Sequence, residues 1–334
     1  MADSSSTDPG DTPLLHRAGT AAAGIGSLGE GRPKLRAAIQ YGLIALVFAF
    51  LAFFLITQWS KLPDYEWRFR PGWLVPAFLL VLSFYALQPL LWLVILGGLG
   101  ESGDNTQLRA AWGKSLVARY VPTSALMVVG RVVLAERAGI TKRVCLASIV
   151  YELALGVNAA VIGGAYFFIT LPSLNDQPFR WAILLVIPLA LVGLHPRIFK
   201  PMTDWALGKL GREPLPRALP YGMVLWLVPA YLLGWLLVGA GLFMFALALQ
   251  PLPADKILYI ATAYPVAFCV SVLTFIVPSG LGTRDATLAT AIDVVLPLAV
   301  ATAIAVAFRL FQTVIELMFV GLLVWLGRRG RPLS

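Results

Sequence analysis

The chain has 334 residues, 59% of them hydrophobic and only 13% charged, with 26 Lys and Arg against 17 Asp and Glu and a net charge of +9. Soluble domains carry about a quarter charged residues, so the composition excludes a water-facing globule and, with it, a soluble enzyme. The apolar residues fall in blocks of helical membrane length rather than alternating with period two. That argues against an outer-membrane barrel and predicts an all-α polytopic membrane helical bundle.

Residues 1–35 are rich in Ser, Asp, Gly, Pro and Ala and read as a disordered cytoplasmic tail. The first apolar run starts too late, and is too long, for a signal peptide. Block one covers about 37–57, behind Arg32, Lys34 and Arg36, and block two covers 72–96. A less apolar stretch, 107–140, holds Arg109, Lys114, Arg119, Arg131, Glu136 and Arg137. Block three is 144–170; block four, 181–194, is short and contains Pro188; a basic loop is expected over 195–217. Block five, 219–249, is long enough to be tilted or broken near Gly239 and Gly241. Block six, 257–277, leads into a glycine-rich break, 278–285, and a half-length apolar piece, 286–296. The last block, 298–326, closes a membrane domain of residues 36–327, with a short basic cytoplasmic tail at 328–334.

With the N-terminus inside and the long blocks alternating, the inner segments 1–36, 98–143, 195–218 and 327–334 carry 19 of the 26 Lys and Arg, and the outer loops carry 5. This positive-inside bias places both termini in the cytoplasm. It also reads the basic excess as orientation and contact with anionic lipid headgroups, with no call for nucleic acid. The expected architecture is seven full spans or their equivalent, plus two Pro/Gly-broken hairpins, re-entrant or short full pairs.

The two breaks echo one another. Val121-Pro122-Thr123 is followed by Gly130, Arg131 and Glu136, and Val277-Pro278-Ser279 by Gly280, Gly282, Arg284 and Asp285. One hairpin would dip from the inner side and the other from the outer side, the pattern of an inverted repeat. Pro122, Gly130 and Pro278 are the expected helix breaks. Interrupted helices leave backbone groups unpaired, which is tolerated at membrane depth only inside protein or against water. A half-helix N-terminus beside an arginine suits a phosphate or carboxylate, so Arg131, Arg284, Gly280 and Gly282 are the candidate headgroup-binding residues. The competing reading has Arg131 and Arg284 snorkelling to the interface and pairing with Glu136 and Asp285 for stability alone.

Other charges sit within apolar blocks. Glu152 in block three is either a charge partner or wetted near the cytoplasmic boundary. Arg309 and Glu316, seven residues apart on one helix face, are either functional or a structural pair. Asp293, near the outer end of its segment, reads as structural. Trp73, Trp92, Trp112, Trp181, Trp226 and Trp325 read as an interfacial belt rather than a binding cage. Cys145 and Cys269 lie in apolar stretches, and His16 and His195 in a polar tail and beside Pro196; neither pair suggests a disulfide or a metal site. No nucleotide-binding, metalloprotease or triad motif is present, so no cofactor, metal or catalytic set is expected.

The stretch Lys114 to Pro122, with Gly130, Arg131 and Glu136 and then Ala147 to Glu152, resembles the membrane region of the lysylphosphatidylglycerol synthase/flippase-like family. The segment Pro278-x-Gly280-Leu281-Gly282-x-Arg284-Asp285 resembles that family's Pro-Gly-Gly-Leu-Gly-x-Arg-Glu motif. Asp285 stands where glutamate is usual, and Ser279 where glycine is common. The likeness covers about residues 36–326. It implies the lipid-translocating part without the aminoacyl-transferase domain, in a bacterial or archaeal cytoplasmic membrane. The cargo implied is an anionic or aminoacylated phospholipid, or a polyprenyl-phosphate lipid. Two other readings stay open: a non-transporting scaffold for a lipid or cell-envelope glycan synthase partner, and an intramembrane lipid-modifying transferase.

Overall fold

The computed structural model describes residues 67–117, 125–174, 176–209, 213–214, 217–273 and 283–329. The tail 1–35, block one and most of the tail 328–334 lie outside the described residues, as do Pro122, Pro278, Gly280 and Gly282. The described residues form helices and no strand. In chain order these are α1 Leu74–Gly98, α2 Asn105–Val117, α3 Ala125–Glu136, α4 Lys142–Thr170, α5 Val186–Gly193 and α6 Pro196–Lys209. They are followed by α7 Tyr221–Leu249, α8 Ile257–Leu273, α9 Thr283–Ile292 and α10 Leu298–Arg329. Short 3-10 turns precede α1, α5 and α8. Five of these helices, counted with their 3-10 leads, are long and apolar enough to cross a membrane, and a bent pair from Pro178 to Trp205 would make a sixth.

One end of the bundle, termed basal here, gathers the α1–α2 turn and the last turn of α10: the Gln107 amide donates to the Gly327 carbonyl at 2.6 Å. Helix α4 starts at the same end. The Thr141 N–H and hydroxyl donate to Glu101 at 2.8 and 2.7 Å, and Thr141 caps the helix by accepting from the Val144 N–H. Helix α3 reaches this end at Gly139, whose φ of +94° lets the chain turn while the Ile140 N–H returns to the Ala135 carbonyl at 3.0 Å. Helix α7 starts here too, with Met223 and Leu219 against Gly98 of α1. At the opposite, apical end, the Arg70 N–H donates to the Ala248 carbonyl at 2.7 Å, tying the approach to α1 to the last turn of α7.

Helices α2, α3 and α9, with 13, 12 and 10 residues, are about 15–20 Å long, short of the ~30 Å hydrocarbon core. Helix α2 runs antiparallel to the C-terminal half of α10: Ala110 meets Gly327, and Gly113 meets Val320 and Leu323. Helix α9 packs on the N-terminal half of α10 and on α8. The single long helix α10 therefore carries one short helix on each half.

Three expectations change here. Block five is not broken: α7 is continuous through Gly239 and Gly241. These glycines admit neighbours instead, since a Cβ on Gly239 would lie 2.1 Å from the Ala261 carbonyl oxygen of α8, and one on Gly241 would lie 2.7 Å from Val81 of α1. The expected basic loop 195–217 contains α6, a helix bent by 70° from the segment before it. Pro196 at its start is compatible with a first turn, where no N–H is needed. Gly130 likewise does not interrupt its helix, lying within α3.

Candidate functional site

Arg131 of α3 is buried, 3% exposed, at a point where four helices converge. Its Nε donates to the Ser115 hydroxyl of α2 at 3.0 Å, and a terminal nitrogen makes a close ion pair with Glu152 of α4. The second Glu152 oxygen accepts from the Trp112 indole N–H at 2.9 Å. The guanidinium lies 5.5 Å from the Trp92 ring centre and 5.6 Å from that of Trp112, a cation held by two ring faces. Each tryptophan is itself fixed. Trp92 donates to the Ser148 hydroxyl at 2.9 Å, and the Trp112 carbonyl accepts from the Ser115 hydroxyl at 2.7 Å.

This overturns two expectations and decides a third. Glu136 does not hold Arg131: it is exposed and faces Lys142 at 3.4 Å. Of the two readings of Glu152, charge partner or carboxylate wetted at the boundary, the structure supports the first: it is the counter-ion of Arg131, 16% exposed. Trp92 and Trp112 are not belt residues; both are buried around a cation, whereas Trp73, Trp181, Trp226 and Trp325 are exposed. Arg131 is not at the rim, as the snorkelling alternative required.

The second centre forms between α8, α9 and α10. Arg284, in the first turn of α9, donates to the Gln312 side-chain oxygen at 2.8 Å, and the Tyr264 hydroxyl donates to the same oxygen at 2.6 Å. The Arg284 guanidinium also lies 4.4 Å from the centre of the Tyr264 ring. Asp285, the next residue, turns to α10 and accepts from Arg309 at 2.8 Å. Adjacent residues on a helix point about 100° apart, which is why Asp285 serves Arg309 while Arg284 faces Gln312. An Arg309–Glu316 pair is not formed. Seven residues span about 10 Å along the axis, and the fully buried Glu316 instead accepts from the Tyr85 hydroxyl of α1 at 2.7 Å. Asp293 is exposed just past the end of α9.

The two centres share their scaffold. Tyr85 and Trp92 lie two turns apart on α1, and Gln312 and Glu316 one turn apart on α10. From the basal to the apical side the order is Arg131–Trp92, then Tyr85–Glu316, then Gln312–Arg284, spread over about 16 Å of helix rise. The Tyr85 ring is clamped by Phe84 and Phe319, with ring centres at 5.2 and 6.3 Å. Among the described residues, no three His, Cys, Asp or Glu side chains gather as metal ligands, and Cys145 and Cys269 are free thiols.

Residues 39–321 match the family model described as the lysylphosphatidylglycerol synthase TM region. The chain belongs to that family. A search of curated proteins returns no match. As a member of the lysylphosphatidylglycerol synthase TM family, it is an integral membrane protein that contacts bilayer lipid. Ser115, Trp92, Trp112, Tyr85, Tyr264 and Gln312 complete the two arginine centres, and of these only Ser115 falls within a stretch that carries the family resemblance. For Tyr85, Trp92, Tyr264 and Gln312 the available signal was a polar or aromatic side chain within an apolar block.

Proposed function

We propose that this protein moves a lipid with an anionic headgroup between the two leaflets, without chemical change to the lipid. The observation that carries this reading is the pair of arginine centres buried in one membrane bundle, aligned along α1 and α10. Intramembrane charge is costly and is retained where it serves a path or a partner. The first centre is balanced, one arginine to one carboxylate. The second brings Arg284 and Arg309 together with Asp285 at the positive dipole end of α9. A phosphate or carboxylate headgroup complements the second centre, and its acyl chains stay in the bilayer. The short helices α2 and α3, and the short α9 following the longer α8, act as hairpins of opposite entry, related as an inverted repeat, with the basal end toward the cytoplasm of a bacterial or archaeal cell.

The cargo is tested by what stays bound. Protein extracted in mild detergent is expected to carry an anionic phosphate lipid, identified by mass spectrometry. Arg284→Gln is expected to retain about a tenth or less, because a lost charge-assisted hydrogen bond is worth about 1.5–3 kcal/mol. Equal lipid in both, with equal folding, contradicts the assignment and favours a scaffold role in which the charges serve stability only.

A further inference from the structure

Helix α6 has three faces in three environments. Phe199 and Thr203 are buried, the Phe199 ring centre 4.9 Å from that of Tyr151 in α4. Lys200 and Asp204 form an i,i+4 ion pair that, with exposed Arg197, makes a polar face. Ile198, Met202 and Trp205 recur at i, i+4 and i+7 as an exposed apolar stripe, Met202 at 55% and Trp205 at 62%. The helix is 14 residues long, and the chain bends by 70° to enter it. The His195 ring packs at a tilt against Tyr221 at the start of α7, with centres 4.6 Å apart, which puts the beginning of α6 at the basal end.

We propose that α6 is a membrane-surface helix that docks this protein onto an anionic leaflet. Ile198, Met202 and Trp205 sink into the acyl boundary, and Arg197 and Lys200 meet the headgroups. The occupant is lipid rather than a protein because of charge. The basal end also presents Lys142 and Arg143 at the start of α4, paired with Glu136 and Glu213, and Arg328 and Arg329 at the end of α10, so these cations outnumber their carboxylate partners. A helix with an apolar face, a basic face and little length to span is the form that lies in the interface plane. This surface stands apart from the arginine centres, and its assignment does not depend on the transport proposal.

The test places a nitroxide at Met202→Cys, and separately at Arg197→Cys, in full-length protein with Cys145 and Cys269 replaced by alanine. The protein is reconstituted in vesicles of phosphatidylcholine and phosphatidylglycerol at 3:1. The Met202 label is expected to collide with oxygen and to be shielded from a water-soluble nickel chelate, while the Arg197 label meets the chelate. Equal chelate access at both sites overturns the proposal, and so does a Met202 label shielded from both reagents, the result for a protein partner or a second copy. In vesicles of phosphatidylcholine alone, chelate access at Met202 is expected to rise; no change overturns the anionic preference. Brominated lipids provide a readout with the cysteines intact. The wild type is expected to show a quenchable component that Trp205→Phe lacks, and identical quenching in the two overturns the docking.

Discussion

Glu152→Ala is expected to destabilise the protein by about 3–5 kcal/mol, the cost typical of removing one partner from a buried ion pair. The loss comes less from the missing attraction than from what remains: Arg131, 3% exposed, keeps its charge with only the Ser115 hydroxyl and two ring faces to replace hydration. Cation–π contacts are worth about 0.5–2 kcal/mol each and were already present. Trp112 loses its acceptor in the same step. Replacing both ions by apolar residues, as in Arg131→Met with Glu152→Leu, is expected to recover most of the stability, since desolvation of two charges offsets much of their attraction. Thermal unfolding in detergent checks this. A fall of order 10 °C for Glu152→Ala, with recovery in the double variant, is the expected pattern. A single variant within about 1 kcal/mol of the wild type would show that the pair is not closed in the bilayer-extracted protein.

Gly239→Ala is the second large effect, and its sign separates packing from propensity. Alanine is the better helix former by about 1 kcal/mol, so an unconstrained helical glycine gains from the change. At Gly239 the new Cβ would meet the Ala261 carbonyl oxygen at 2.1 Å and its Cα at 2.6 Å. Both are backbone atoms of α8 and cannot rotate aside, so α7 and α8 must separate. The expected cost is about 1–3 kcal/mol or more, the range for overpacking. Gly321→Ala in α10, where a Cβ meets nothing within 4 Å, is expected to be neutral or stabilising. Opposite shifts in unfolding midpoint would confirm close α7–α8 packing; a gain at both positions would contradict it.

The fold class was legible because membrane helices announce themselves through length and apolarity, and the family through the Arg131 and Arg284 neighbourhoods. Pairing was not legible, for geometric reasons. Glu136 is close to Arg131 in sequence, but five residues on a helix point it well round the axis, and it faces Lys142 instead. Arg309 and Glu316 share a face yet are too far apart to touch, so each finds a partner on another helix. Asp285 sits beside Arg284 in the chain and serves Arg309 in space. The tryptophans misled in a different way. Position near a block end suggests the interface, but Trp92 and Trp112 lie beside the short helix α3, which brings a cation to their faces. Helix α6 was hidden because its charges, together with Pro196 and Pro201, resemble a loop until the spacing of Ile198, Met202 and Trp205 is read at helical period.

Lipid movement itself can be measured. Full-length protein is reconstituted in vesicles carrying a fluorescent phosphatidylglycerol, and dithionite is added outside to bleach the exposed label. Bleaching well beyond the outer-leaflet half is expected for the wild type, with slower loss for a zwitterionic analogue and a return to the protein-free level for Arg284→Gln with its helix content intact. Bleaching that stops at half with folded wild-type protein, or that proceeds unchanged in Arg284→Gln, would contradict it.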